Sequence, residues 1–277
     1  MKEIKVSNAQ SVGTSKSDMI TLPFQLHWAG TGVPGSVDRF TTGNVEVKRD
    51  TAIFYHQDLF KDGFLDIETL QVAANSKVGK TTKYILFDAE FLIGLKDRQA
   101  SKDLILAALE NIRAVCPAQL IGITGDDIGF NYFDDSISPL PWMNFHDEFE
   151  EVYAAYSFIC PQWYFTQVGG KDIPTDRQGR WLDGQTLEFM RFSRTPIYPL
   201  AWLRYHEVNK TAGLTHLNFE DSKKIVNTAK RFKIDKIFLW DHFTDDYMGS
   251  KIKVSDILTG YETYFKTTLP AAAKGLI

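Results

Sequence analysis

Lys83-Tyr84-Ile85-Leu86-Phe87-Asp88-Ala89-Glu90-Phe91-Leu92 is the stretch from which both fold and chemistry are read. Residues 83–87 have strong β character and run straight into two carboxylates spaced i, i+2. On a continuing strand that spacing puts both acids on one side, with Cβ atoms within about 7 Å. Two like charges that close cannot both ionise freely, so one pKa is expected above its ordinary value. A proton donor beside an ionised partner is what a retaining glycosidase requires. Acidic residues also end strands as solvated loop starts, and spacing alone leaves both readings open.

Working outward, short apolar runs recur at 24–28, 51–55, 119–124, 162–167, 197–205 and 236–241. Several are nearly continuous in apolar residues, as strands buried on both faces of a parallel sheet are. Amphipathic stretches lie between them. Residues 102–115 are predicted helical behind Ser101 as N-cap, as are 148–158, 219–232 and 256–268, the last stopping at Pro270. This alternation predicts an α/β fold, a distorted β/α (TIM-like) barrel with seven or eight parallel strands; an open doubly wound sheet is the alternative. Residues 1–20 are polar and Ser-rich and are expected to be a loose N-terminal segment. No repeat or linker divides 21–277, which is expected to be a single catalytic domain.

The chain has 277 residues, 44% apolar and 24% charged, an ordinary balance for a globular protein with a sizeable core. Its net charge of −4 carries no footprint of nucleic-acid or anionic-membrane binding, and weighs against a strongly polyanionic substrate. No apolar run is long enough to span a bilayer, and the first residues lack the apolar core of a signal peptide. Aromatics reach 13%, enough to build sugar-stacking platforms as well as a core. Cys116 and Cys160 are too few for a disulfide framework and are expected as thiols.

Other motifs fail on context. Gly30-Thr-Gly32-Val-Pro-Gly35 matches a dinucleotide-binding pattern, but Pro34 and the polar residues after it leave no helix to meet a pyrophosphate. Gly79-Lys80-Thr81 precedes a strand where a phosphate loop needs a helix. The six histidines lack metal-ligand spacing, and there is no G-x-S-x-G. Neither a cofactor nor a metal is expected. Asp126-Asp127 and Asp134-Asp135 read first as solvated turn residues, with Asp126 a candidate for the cleft.

In a β/α barrel, reactive residues sit at the carboxyl ends of strands. Asp88 and Glu90 are there, and so are Tyr55, Trp28, Tyr164, Trp202, Trp240 and Asp241. Carboxylates among aromatic rings suit a carbohydrate cleft, although rings at strand ends also serve as core.

Read in order, these segments resemble the hyaluronidase family of glycoside hydrolases, the bee-venom and sperm type. Phe24-Gln-Leu-His-Trp28 is similar to that family's first strand, and Thr51-Ala-Ile-Phe-Tyr55 to its second, whose Tyr binds substrate. Phe87-Asp-Ala-Glu90 resembles its Asp-Phe-Glu catalytic motif. Cys160-Pro-Gln-Trp-Tyr164-Phe-Thr-Gln167, Leu200-Ala-Trp202-Leu-Arg-Tyr-His-Glu207 and Ile237-Phe-Leu-Trp240 follow its later strands. The likeness covers about residues 23–275, and the ordered set carries it, since no single motif is specific. The family's cysteine pairs are missing, and Gly122-Ile-Thr124-Gly125 stands where the family has Gly-Tyr-Tyr-Gly. Thr124 is too short to take over the role of that tyrosine hydroxyl.

The resemblance implies Glu90 as general acid/base and Asp88 as the group that orients the N-acetyl of a hexosamine. The acetamido oxygen then attacks its own anomeric carbon, and no enzyme nucleophile is needed. The implied substrate is a hyaluronan- or chondroitin-like polysaccharide, cleaved internally with retention by a monomer in an extracellular or periplasmic setting. Two alternatives stand beside it. One is a retaining glycosidase with Asp126 or Asp241 as nucleophile; the other is a sugar-binding barrel without catalysis.

Overall fold

The computed structural model describes residues 22–29, 45–124, 136, 138–166, 175–192, 194–206, 209, 212–241 and 254–275. The expected 1–20 segment, Gly30–Gly35, Asp126 and the other acidic-pair residues lie outside the described residues.

Eleven strands are described, and nine of them form two parallel sheets. Tyr84–Asp88 (β6) pairs with Thr51–Phe54 (β3) on one side and Leu120–Thr124 (β7) on the other, and β7 pairs with Phe158–Ile159 (β8). The second sheet runs Val47–Lys48 (β2), Gln25–Trp28 (β1), Lys236–Leu239 (β11), Leu200–Tyr205 (β10), Gln162–Phe165 (β9). Phe60–Lys61 (β4) and Phe64–Leu65 (β5) form a separate antiparallel hairpin.

The sheets are joined at both ends by shared stretches of chain. Residues 47–54 pair with β1 through Val47 and Lys48 and then with β6 through Thr51 to Phe54. Residues 158–165 pair first with β7 and then with β10, and Ile159 also bridges Ile197 in parallel. At the first crossing, the Asp50 carboxylate meets Nδ1 of buried His27 at 2.7 Å.

Helices cover the outer faces: Ile67–Lys77 (α1), Glu90–Ile93 (α2), Arg98–Val115 (α3), Leu140–Glu148 (α4), Glu150–Ala155 (α5), Thr175–Met190 (α6), Phe219–Arg231 (α7), Val254–Thr263 (α8) and Leu269–Lys274 (α9). Strand alternation sorts the core into layers. Ile85 and Phe87 meet Ile105, Leu109 and Ile112 of α3, whereas Tyr84 and Leu86 face a central cluster with Ile53, Phe158, Leu200 and Phe238. Asp88 continues that central row and so ends at the mouth of the space between the sheets.

Several predicted elements shift. Asp97, not Ser101, caps α3, its Oδ1 accepting from the Ala100 amide at 3.0 Å. Ser101 is buried and donates to the Leu92 carbonyl at 2.6 Å, locking α2 to α3. Of the predicted 148–158 helix only Glu150–Ala155 forms, since α4 already ends at Glu148, and Phe158 belongs to β8, where its ring stacks on Phe238 with centroids 5.4 Å apart. The last helix passes Pro270 through a π turn, Tyr264–Thr268, which places Pro270 in the first turn of α9, where no amide donor is needed. Cys116 and Cys160 are buried free thiols, as expected.

Gly122 is required by this packing. A Cβ built there lies 2.0 Å from Cε2 of Phe158, a ring already stacked in the central cluster. Gly122→Ala is therefore expected to lower stability by about 1–3 kcal/mol in urea unfolding, the range for overpacking. Adding Phe158→Leu should recover part of that loss; if it recovers none, the cost does not arise from this contact.

Candidate active site

β6 ends at Asp88, and the chain then turns instead of continuing. Ala89 takes φ −97°, ψ 7°, and Glu90 opens α2. The expectation that both acids sit on one strand is corrected: Asp88 is the last strand residue and Glu90 the first helical one. The two still line one cleft, and the Glu90 amide donates to Asp88 Oδ1 at 3.2 Å. Asp88 is half-buried and Glu90 exposed. Burial raises the Asp88 pKa above its ordinary value, opposed by the hydrogen bond from the Glu90 amide. A raised carboxylic pKa was expected here, but its cause is desolvation and not repulsion between the acids.

Asp88 and Glu90 line a cleft of about 570 Å³ with Tyr55, His56, Gln57, Phe91, Gly94 and Leu95. Tyr55 is held from several directions. Asp58 Oδ2 accepts from the Tyr55 amide at 2.8 Å and from Lys77 Nζ at 2.5 Å, and that ammonium lies 5.1 Å from the Tyr55 ring centre. The Tyr55 hydroxyl accepts from Trp240 Nε1 at 2.9 Å. Trp240 then packs on Tyr164, tilted 31° at 6.0 Å, and edge-on against Trp202 at 5.0 Å. His206 completes this cluster beside Tyr164 and Trp202.

The predicted residues therefore separate. Asp88, Glu90 and Tyr55 share the cleft, and Trp240 and Tyr164 adjoin it through Tyr55, half-buried. Trp202 is fully buried and backs Trp240 without offering a face to a ligand. Trp28 lies on the helix side of β1, edge-on to Tyr261 of α8 at 5.9 Å, and does not join the cleft group. Asp241 has no exposed surface. Its Oδ2 accepts from Arg204 Nε at 2.7 Å and from the Tyr261 hydroxyl at 2.5 Å, and its Oδ1 from a second Arg204 nitrogen. Burial and the Asp241 charge hold the Tyr261 phenol well above its ordinary pKa, so it stays a donor. The expectation that Asp241 faces substrate is replaced by a buried ion pair that joins β10 to the end of β11. Asp126 lies outside the described residues.

Thr124, opposite Asp88 in register, is buried and donates to the Cys160 carbonyl at 3.2 Å, so its hydroxyl is turned to the backbone. Sequence reading missed His56, Gln57, Phe91 and Leu95. The signal was adjacency: two follow the end of β3 and Tyr55, and one follows Glu90 directly. Among the described residues no group of three or more His, Cys, Asp or Glu side chains could hold a metal ion, and no helix is long and apolar enough to cross a membrane.

No family model matches this chain, and no curated protein matches it. Solved structures do. Bee venom hyaluronidase is similar with a TM-score of 0.63 at 12% identity, over 91% of this chain and 99% of that one. The same bee enzyme in complex with a hyaluronic acid tetramer gives 0.60 at 12% identity, over 91% and 98%. At this identity the likeness shows the fold, which is the β/α, TIM-like type with parallel strands.

Two outcomes are expected. Asp241→Asn leaves the Arg204 charge buried without its counter-ion and should cost about 3–5 kcal/mol in urea unfolding; a normally stable but inactive variant would instead mark Asp241 as a reacting group. Asp88→Asn should raise the melting temperature at neutral pH. A carboxyl with its folded pKa raised by burial binds protons more tightly when folded, so wild-type stability falls as pH rises from the ordinary value of 3.8 through the folded pKa. The gain in Asp88→Asn should thus vanish as pH is lowered toward 3.8. A gain that persists in acid would overturn the desolvation account.

Proposed function

We propose that this chain is a retaining glycoside hydrolase that cleaves an N-acetylhexosamine-containing polysaccharide internally, with the acetamido group of the substrate as nucleophile. The observation that carries the reading is the pairing of a half-buried, fixed Asp88 with an exposed Glu90 in one aromatic-walled cleft. A TIM-like fold with both acids at the carboxyl end of a strand agrees with it. So do the residues 47–54 and 158–165 shared between the sheets, which favour a closed barrel of seven composite strands.

Glu90, at the solvent side, protonates the glycosidic oxygen as the bond to the anomeric carbon breaks. Asp88 accepts the acetamido N–H, and the acetamido oxygen closes on the anomeric carbon to give an oxazolinium ion. Water, deprotonated by the Glu90 carboxylate, then opens that ring with net retention. Asp88 suits the second role because its position is fixed by the Glu90 amide and it accepts a proton readily. Tyr55, braced by Lys77, Asp58 and Trp240, forms one wall for the reacting sugar. Asp241, enclosed in its ion pair, is not placed to act as the nucleophile.

Glu90→Gln should lower kcat about a hundredfold or more with an unchanged melting temperature, since Gln keeps the shape but supplies no proton. A thiazoline made from an N-acetylhexosamine should inhibit as a mimic of the cyclised intermediate. Mass spectrometry after exposure to a 2-fluoro glycoside should show no adduct; a sugar attached to any carboxylate would replace substrate assistance by a covalent enzyme intermediate.

A further inference from the structure

We propose that the cleft stacks an uncharged sugar on the Phe91 ring, so that the polymer carries no uronate or sulfate at that subsite. The proposal rests on the glycosidase reading above and narrows its substrate class. Phe91 follows Glu90 in the first turn of α2 and lines the same cleft, yet 62% of its surface is exposed. A phenyl ring kept in water beside a catalytic acid gains by being covered, and the CH face of a pyranose is a suitable cover. The ring is also backed. His56 lies 4.4 Å from Phe91 on one side and stacks on Phe60 of the β4–β5 hairpin at 4.4 Å and 9° on the other. Phe91, His56 and Phe60 thus form a tier fixed to three different elements.

Charge decides what kind of sugar fits. The described lining residues include two carboxylates, Asp88 and Glu90, and no lysine or arginine. Two nearby cations are already committed to protein groups. Lys77 Nζ donates to Asp58 at 2.5 Å and to the Ile53 carbonyl at 3.3 Å. Arg98 donates to the Ile93 and Leu95 carbonyls at 2.9 and 3.1 Å, closing the end of α2, and its guanidinium lies 4.3 Å from the Phe145 ring centre. Burial lowers the His56 pKa, which keeps that ring neutral near pH 7. A uronate or sulfate on the tier would face two acids with no cation among the described lining residues to offset them, the kind of like-charge juxtaposition by which a site rejects a ligand.

The test compares hyaluronan with the same polymer after its carboxylates have been reduced to alcohols, and with soluble chitin oligosaccharides, by release of new reducing ends. The expected result is a kcat/KM about tenfold or more higher on the uncharged glycans at low ionic strength, the gap narrowing as salt screens the repulsion. Phe91→Ala should raise KM on the uncharged substrate about tenfold with kcat nearly kept, and Phe91→Tyr should restore it. Hyaluronan cleaved as well as, or better than, its reduced form would overturn the inference and leave the glycosidase reading standing. So would a Phe91→Ala protein of normal KM. A folded protein that releases nothing from any of the three would end both.

Discussion

The Asp241 carboxylate is the constraint from which the site is built. It sits with no exposed surface at the end of β11, bound by Arg204 of β10 and Tyr261 of α8. Burying a charge is unfavourable unless it is paired and hydrogen-bonded, so these three groups have one workable arrangement. That arrangement sets the stagger of β10 against β11 at their carboxyl ends. Trp202 lies two residues before Arg204, and Trp240 directly before Asp241, so their edge-on contact at 5.0 Å follows from the ion pair. Trp240 then orients Tyr55 through its indole N–H, and Tyr55 walls the cleft that holds Asp88 and Glu90. A residue set apart from the cleft thereby holds its geometry.

Asp88 shows the opposite balance. Its position is unfavourable for an ionised carboxylate, as the raised pKa records, and only the Glu90 amide compensates. A fold selected for stability alone would place an amide or an apolar residue there. A carboxyl held in that place, beside an exposed acid on a different element, separates the two in burial and in anchoring. Under the proposed mechanism, such separation lets one acid orient the substrate while the other donates a proton.

Much of this was legible in the chain because burial on both faces leaves a plain mark. The apolar runs at 83–87 and 119–124 correspond to β6 and β7, and the ring-bearing ends of β9 and β11 lie where they were read. What failed was whatever depends on phase. Trp28 and Trp240 both end strands, but Trp28 pairs with Leu239, on the helix-facing row, while Trp240 lies one residue on and faces inward. Nothing in a continuous apolar run says which row points to the centre. The helices α1 and α6 escaped notice for other reasons. Buried residues on α1 are only Leu70, Ala73 and Ala74, too small a stripe to see, and α6 carries Gly179 and Gly184 inside its span. Ser101 was misread as a cap because its hydroxyl serves a distant carbonyl, at Leu92, which no local pattern records.

The pairing of β1 with β11, and the bond from Trp240 to Tyr55 across 185 positions of chain, bear on how the molecule is assembled. Parallel pairing of distant segments forms late, since the loop must be closed before the contact rewards it. A growing polypeptide can complete the β3–β6–β7 half, with α1 and α3 on its outer face, while the rest is still unmade. Asp88, Glu90 and Tyr55 belong to that early half; Trp240, which orients Tyr55, arrives with the last strand. Until it docks, Tyr55 lacks the indole N–H that orients it, so the cleft takes its final shape only at the close of folding.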